Sequence, residues 1–161
     1  MLIRVATDDD WTAIWPFFAD IVAAGETYAY PPDLTVETAR ALWMDSSSGQ
    51  TVVAIDDGVV VGTAKMGPNR PGRGAHVATA SFMVDPAFAG HGVGRSLGLY
   101  VLDWARAAGY RSMQFNAVVE TNTGAVHLWQ SLGFQILATV PEAFDHPHHG
   151  FVGLHVMYQR L

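Results

Sequence analysis

The chain contains no cysteine. That excludes disulfides, thiolate zinc sites and a cysteine nucleophile, and it fits a reducing compartment. Positive charge is scarce: 9 Lys and Arg stand against 15 Asp and Glu, a formal net charge of -6. Nucleic acid and anionic lipid are therefore not expected as partners, because both are held mainly by clustered cations. No window reaches the roughly 18 apolar residues of a membrane span, and Met1-Leu2-Ile3-Arg4 lacks the apolar run of a signal peptide. The expectation is a soluble, cytoplasmic protein. The run His146-Pro147-His148-His149 invites a metal reading, but without cysteine or a His-x-x-x-His helix no metal is expected, and a mildly pH-sensitive loop is the better account. What is present is apolar: half of the 161 residues are hydrophobic and 11% of the whole chain is aromatic, enough for one domain spanning 1–161.

The opening LIRVAT reads as a strand. Thr7-Asp8-Asp9-Asp10 places an N-cap and acidic groups before Trp11, Ile14, Trp15, Phe18 and Val22, which recur at helical spacing up to Gly25. Pro16 lacks an N–H and is expected to kink or interrupt that helix. Thr35 caps a second helix through Val36, Ala39, Leu42 and Trp43, with Ser46, Ser47, Ser48 and Gly49 as its stop. TVVAID and VVVGTAKM flank Asp57-Gly58, a strong hairpin signal. A third strand, HVATASFMV, ends at Asp85-Pro86, and helical spacing returns from Val93 to Ala108. YRSMQFNAVV, a short helix over Ala125, Leu128, Trp129 and Leu132, then FQILATV and FVGLHVMYQRL complete the chain. The order β-α-α-β-β-β-α-β-α-β-β gives an α+β class with a mixed sheet, antiparallel in the middle and parallel where strand-helix-strand units occur. His76 and His155 alternate with apolar strand neighbours and read as structural histidines. The apolar final strand is a candidate for pairing with a second copy.

The most informative segment is Val84-Asp85-Pro86-Ala87-Phe88-Ala89-Gly90-His91-Gly92-Val93-Gly94-Arg95-Ser96. Three alternate glycines between a strand and a helix expose amides, and the helix dipole favours an anion there, such as a pyrophosphate. A Walker loop is excluded because no Gly-Lys-Ser/Thr follows, and a dinucleotide fold is disfavoured because a hairpin and two helices precede the turn. About 30 residues on, Asn122-Thr123-Gly124-Ala125-Val126-His127-Leu128-Trp129-Gln130-Ser131-Leu132-Gly133-Phe134 forms a capped helix entering a strand.

On these two segments the chain resembles the GNAT superfamily of acetyl-CoA-dependent N-acetyltransferases, whose hallmarks are R/Q-x-x-G-x-G/A and N-x-x-A-x-x-L-Y-x-x-x-G-F. The strings PNRPGRGAHV, MQFNAVVETNTGAV, LWQSLGF and VPEAF resemble a narrower branch, the fungal proline-analogue (azetidine-2-carboxylate) N-acetyltransferases and their bacterial relatives. The resemblance implies a GNAT fold: a mostly antiparallel sheet of about seven strands, flanked by about four helices and splayed between the fourth and fifth strands. It implies acetyl-CoA as co-substrate with no metal, a small-molecule amine as acceptor, and a homodimer as in many relatives. By the same resemblance, amides of His91, Gly92, Val93, Gly94, Arg95 and Ser96 hold the pyrophosphate, backbone groups of Met83 and Val84 pair with the pantetheine arm, and Asn122 bonds the cofactor near its reactive end.

The chain departs from the pattern at Ala89, where Arg or Gln is usual, and at Trp129, where a proton-donating tyrosine is usual. An indole N–H is no practical acid, so that role does not carry over. Glu120 is the carboxylate nearest in sequence to the cleft and the candidate base, against a plain solvated acid. Asn116, on the strand with Phe115 and Ala117, belongs to the QFN string that the branch associates with substrate contact. Thr79 replaces an asparagine of that branch. Glu26, Thr27, Tyr28 and Tyr30 lie where such enzymes place a substrate lid, or they cover the core. The activity implied is direct transfer from acetyl-CoA to an amino acid or cyclic imino acid in a ternary complex. A phosphinothricin-type amino acid acetyltransferase and an acetyl-CoA-binding sensor are the alternatives.

Overall fold

The computed structural model describes residues 1–45 and 47–161. Strand β1 (Leu2–Val5) leads through a 3-10 turn at Asp8–Asp10 into helix α1 (Trp11–Ala24), which is followed by α2 (Val36–Met44). Then come β2 (Gln50–Asp56), β3 (Val59–Pro68), β4 (Val77–Val84), α3 (Val93–Ala107), β5 (Ser112–Val119), α4 (Thr123–Ser131), β6 (Gln135–His146) and β7 (Gly150–Arg160). The strands form a 7-stranded sheet in the order β1-β2-β3-β4-β5-β7-β6. Every neighbouring pair is antiparallel except β4 with β5.

The sheet buries apolar side chains on both faces. Ile14, Phe18, Ala39 and Trp43 from α1 and α2 meet Val53 and Met83 on one side. Leu97, Val101 and Ala105 of α3 and Trp129 of α4 meet Ala64, Phe115 and Met157 on the other. The helical spacing of these residues is thus a core-facing stripe, and each helix is held by its packing on the sheet.

Several expectations are corrected. Helix α1 runs through Pro16 without interruption; Pro16 and Thr12 are both exposed, so the carbonyl left without a donor faces water. Helix α2 ends at Met44, and of the serine run read as its stop, Ser46 lies outside the described residues. His146 to His149 is not a loose loop: β6 extends to His146, which is buried, and a tight turn leads straight into β7. His76 precedes β4 and is exposed, whereas His155 is held by Thr139, Oγ1 to Nδ1 2.7 Å. The strand-helix-strand unit β5-α4-β6 does not make a parallel pair, because β7 inserts between its strands. The final strand is therefore interior and has no free edge for a second copy. Among the described residues no helix is long and apolar enough to cross a membrane.

Candidate active site

Strands β4 and β5 pair only at Val77↔Ser112 and Ala78↔Met113, then diverge. On its other side β4 keeps its register with β3 to the end, Gly62↔Val84. The Asn69 amide donates to Val77 O, and the Asp85 amide donates to Val61 O. Antiparallel alternation then turns the backbone groups of residues 79, 81 and 83 toward β3, and those of Ala80, Phe82 and Val84 into the gap. Met83 is thereby corrected: its polar groups face Thr63 across the ladder and its side chain is core. Val84 keeps an open backbone edge on the side of the gap.

The gap opens into a cleft of about 690 Å³. One wall is Thr79 to Val84, the opposite wall is Phe115 to Val119, and the α1–α2 segment from Thr27 to Tyr30 closes one side. Tyr28 reaches across and meets the exposed edge of β4, its hydroxyl donating to Phe82 O at 2.6 Å and accepting from Phe82 N at 2.9 Å. A single hydroxyl thus does for Phe82 what a neighbouring strand would do. Burial pushes both the Tyr28 and the Tyr30 phenols up, so both stay neutral at ordinary pH. Tyr28, Tyr30, Phe18 and Trp43 form one aromatic cluster, so the segment covers the core and lines the cleft at once.

The glycine turn lies directly beyond Val84. Gly90 and Gly92 adopt φ of 80° and 79°, a region that favours glycine, and Gly92 is the N-cap of α3 without a side-chain cap. Two of the six amides assigned to a pyrophosphate are already engaged: His91 N donates to Phe88 O, and Ser96 N to Gly92 O. The amides of Gly92, Val93, Gly94 and Arg95 have no acceptor among the described residues. They form a compact anion cradle at the positive end of a 15-residue helix. The Arg95 side chain is turned to Ser131 Oγ at 3.0 Å and ties α3 to α4.

Asn116 lines the cleft as expected, by a different route. A register shift between Phe115 and Val118 breaks the alternation, leaving Asn116 and Ala117 both exposed. The Asn116 amide donates to Asn69 Oδ1 at 2.6 Å and its carbonyl accepts from Gln114 Nε2 at 2.9 Å. Asn69 sits 47 positions upstream, and no local signal in the sequence could have linked the two. Asn122 lines the cleft too, but its Oδ1 caps α4 by accepting from Ala125 N at 3.2 Å, so only its amide nitrogen is available. Thr79 lines the cleft near the pinch between the strands.

Glu120 is corrected: it does not line the cleft, and its carboxylate accepts from the Gly153 amide of β7. Glu26 does not line it either; it borders a smaller cavity beside it. Trp129 lines the cleft with its ring 4.6 Å from Phe82 and 5.0 Å from Phe115. The indole is thus packed as part of an aromatic wall. Among the described residues no Asp or Glu lines the main cleft.

This arrangement coincides with known proteins. A model of the acetyltransferase (GNAT) family matches residues 11–134. A GCN5-related N-acetyltransferase structure from Kribbella flavida superimposes with a TM-score of 0.96 at 62% identity, covering 99% of this chain and 97% of that one. The N-acetyltransferase aca1 of Schizosaccharomyces pombe is 32% identical over 98 residues, 60% of this chain and 47% of that protein, so the match spans about half of the relative. The L-amino acid N-acyltransferase MnaT of Escherichia coli is 32% identical over 147 residues, 88% of this chain and 84% of that protein.

Proposed function

The chain belongs to the acetyltransferase (GNAT) family, and on that premise we propose that residues 1–161 form one acetyltransferase domain, transferring an acetyl group from acetyl-CoA to the amine of a small amino acid. The observation that carries the reading is the alignment of two features. The gap-facing edge of β4, open at Val84 and held at Phe82 only by the Tyr28 hydroxyl, runs straight into the four unpaired amides at the start of α3. An extended arm ending in a pyrophosphate matches both, one by strand-like pairing and one by anion binding. Acetyl-CoA, when bound, supplies the activated acyl group. The amides of Gly92 to Arg95 hold its phosphates, and Val84 orients the arm. The Asn122 amide nitrogen donates from the far wall.

Chemistry at this site rests on placement and polarisation. A gap-facing amide of β4 is the donor for a carbonyl whose oxygen gains charge. Asn116, fixed by Gln114 and Asn69, orients the acceptor. With no carboxylate on the main cleft, the amine loses its proton to water. Trp129 supplies shape and dryness, and no proton.

A small amino acid is favoured by the modest cleft and by the name of the Escherichia coli relative, an L-amino acid N-acyltransferase. A cyclic imino acid such as azetidine-2-carboxylate is the finer proposal, resting on the PNRPGRGAHV and QFN strings, which hold the bonded pair Asn69 and Asn116. The compartment implied is the cytoplasm, where acetyl-CoA is supplied. A homodimer remains part of the proposal, with the edge strand β6 in place of the interior β7.

The test is thiol release from acetyl-CoA with azetidine-2-carboxylate, cis-4-hydroxyproline, phosphinothricin, spermidine and a peptide amine, run beside Asn116→Ala. Turnover on the imino acids, with kcat/KM at least about tenfold lower in the variant, is expected, a loss of about 1.4 kcal/mol in transition-state binding. Turnover on phosphinothricin alone would move the substrate class. Acetyl-CoA binding with no thiol release anywhere would leave a sensor.

A further inference from the structure

A second cavity, about 270 Å³, adjoins the cleft. Its walls are the α1–α2 segment at Glu26, the N-terminus of α4, and the β6–β7 hairpin at His146 and His149. Thr27 and Asn122 line both spaces, so they are neighbours across one partition. The cleft is walled mainly by apolar side chains, whereas every side chain lining this cavity carries a polar group, with Gly124 beside them.

His146 is 6% exposed, and its Nδ1 accepts a hydrogen bond from the His148 amide at 3.1 Å. That bond fixes the tautomer: Nδ1 is spoken for as an acceptor, and Nε2 carries the proton in the neutral ring. Among the described residues that Nε2–H has no acceptor. The ring borders the cavity, so this donor is open to whatever enters it. Other donors surround it. Among the described residues the amides of Thr123 and Gly124, at the positive end of the nine-residue α4, have no acceptor, and Asn122 caps only the amide of Ala125. The Thr121 hydroxyl is buried without a partner as well. The opposing charge is Glu26, and its Oε1 lies 3.8 Å from Nε2 of His148.

Donors of this kind suit a group that only accepts. We infer that this cavity receives the carboxylate of the acceptor amino acid, with His146 Nε2–H as the residue that distinguishes an amino acid from a plain amine. The inference rests on the amino-acid reading above and sharpens it. His146 acts here as a hydrogen-bond donor through Nε2, its Nδ1 being the acceptor of the His148 amide.

The experiment compares azetidine-2-carboxylate with azetidine-2-carboxamide, and L-methionine with L-methioninamide, in the wild type, His146→Phe and His146→Gln. The wild type is expected to favour each acid over its amide by more than about tenfold in kcat/KM, about 1.4 kcal/mol. His146→Phe should bring the pair to near parity by raising KM for the acid, with KM for acetyl-CoA unchanged, and His146→Gln, which keeps a donor, should retain most of the preference. In parallel, imidazole nitrogen NMR of the wild type with acetyl-CoA should show the His146 Nε2 signal moving with either acid and not with its amide. An unchanged preference in folded His146→Phe, no acid preference in the wild type, or a still Nε2 signal overturns the inference. If no amine is acetylated while the Nε2 signal moves, the transfer reading fails and the carboxylate site stands. If amines are acetylated and the signal stays still, the reverse holds.

Discussion

Two side chains, one at the start of α1 and one just beyond its glycine C-cap, anchor the first helical segment, and their chemistry is measurable. Asp10 is nearly buried; both of its oxygens accept from the Arg4 guanidinium, at 2.7 and 2.8 Å, and one also accepts from the Thr7 amide at 2.7 Å. Arg4 chiefly, with Thr7 adding to it and burial opposing, holds the Asp10 carboxyl down at about 2. A folded value below the unfolded one stabilises at every pH above the unfolded value of about 3.9, and the gain is lost as pH falls toward 2. Because Arg4 is partly exposed, about 1–2 kcal/mol is the expected size at neutral pH. Asp10→Asn should therefore lower Tm at pH 7, and the gap from wild type should narrow as melts are repeated down to pH 2. Tyr28→Phe removes the hydroxyl that satisfies both polar groups of Phe82. It should cost about 1–2 kcal/mol in a denaturant melt, with much of the loss recovered when acetyl-CoA saturates the protein; a deficit indifferent to acetyl-CoA would separate Tyr28 from the cofactor edge.

At the scale of elements, the site depends on how closely α3 approaches β3 and β4. A Cβ added at Gly62 of β3 would lie 2.9 Å from Val93 Cγ1, 3.1 Å from Met83 O and 3.2 Å from Leu97 Cδ1. Backbone on one side and the first turn of α3 on the other leave no slack, so Gly62→Ala should destabilise by about 1–3 kcal/mol. It should also weaken acetyl-CoA, because the displaced turn is the one carrying the free amides. Isothermal titration on the folded fraction would read this, and an unchanged Kd would detach the cradle from that packing. The β4–β5 divergence is likewise a property of elements: two bridges, a bulge at Asn116 and a tyrosine at the edge open a space that neither strand encodes alone.

At the scale of the molecule, one edge of the sheet is unusually apolar. Leu137 and Val140 on β6 are 58% and 50% exposed, and Phe151 on adjoining β7 is 68% exposed. Beyond Val140 the pairing slips and Glu142 takes a φ of 51°, which disrupts the rest of the edge. The expected outcome from light scattering is a species of twice 17.4 kDa, reverting to the single mass in Leu137→Asp/Val140→Asp. A wild-type single mass at high concentration would remove the dimer from the proposal.

The order and type of every main element were legible in the residues, because period-two and period-3.6 apolar patterns, the Asp57-Gly58 turn and the Thr35 and Asn122 caps are local signals. The glycine turn was legible for the same reason: positive φ and missing side chains are written into adjacent residues. What escaped was decided by pairs remote in sequence. The pairing of β7 with β5, the diversion of Glu120 to the Gly153 amide, the Asn69 partner of Asn116 and the Tyr28 clasp on Phe82 are contacts between segments 33 to 54 positions apart. A sequence specifies by itself what each backbone stretch can satisfy within its own hydrogen-bonding reach. Which groups remain unpaired, and hence available to a ligand, depends on which distant segment arrives beside them, and only the folded chain decides that.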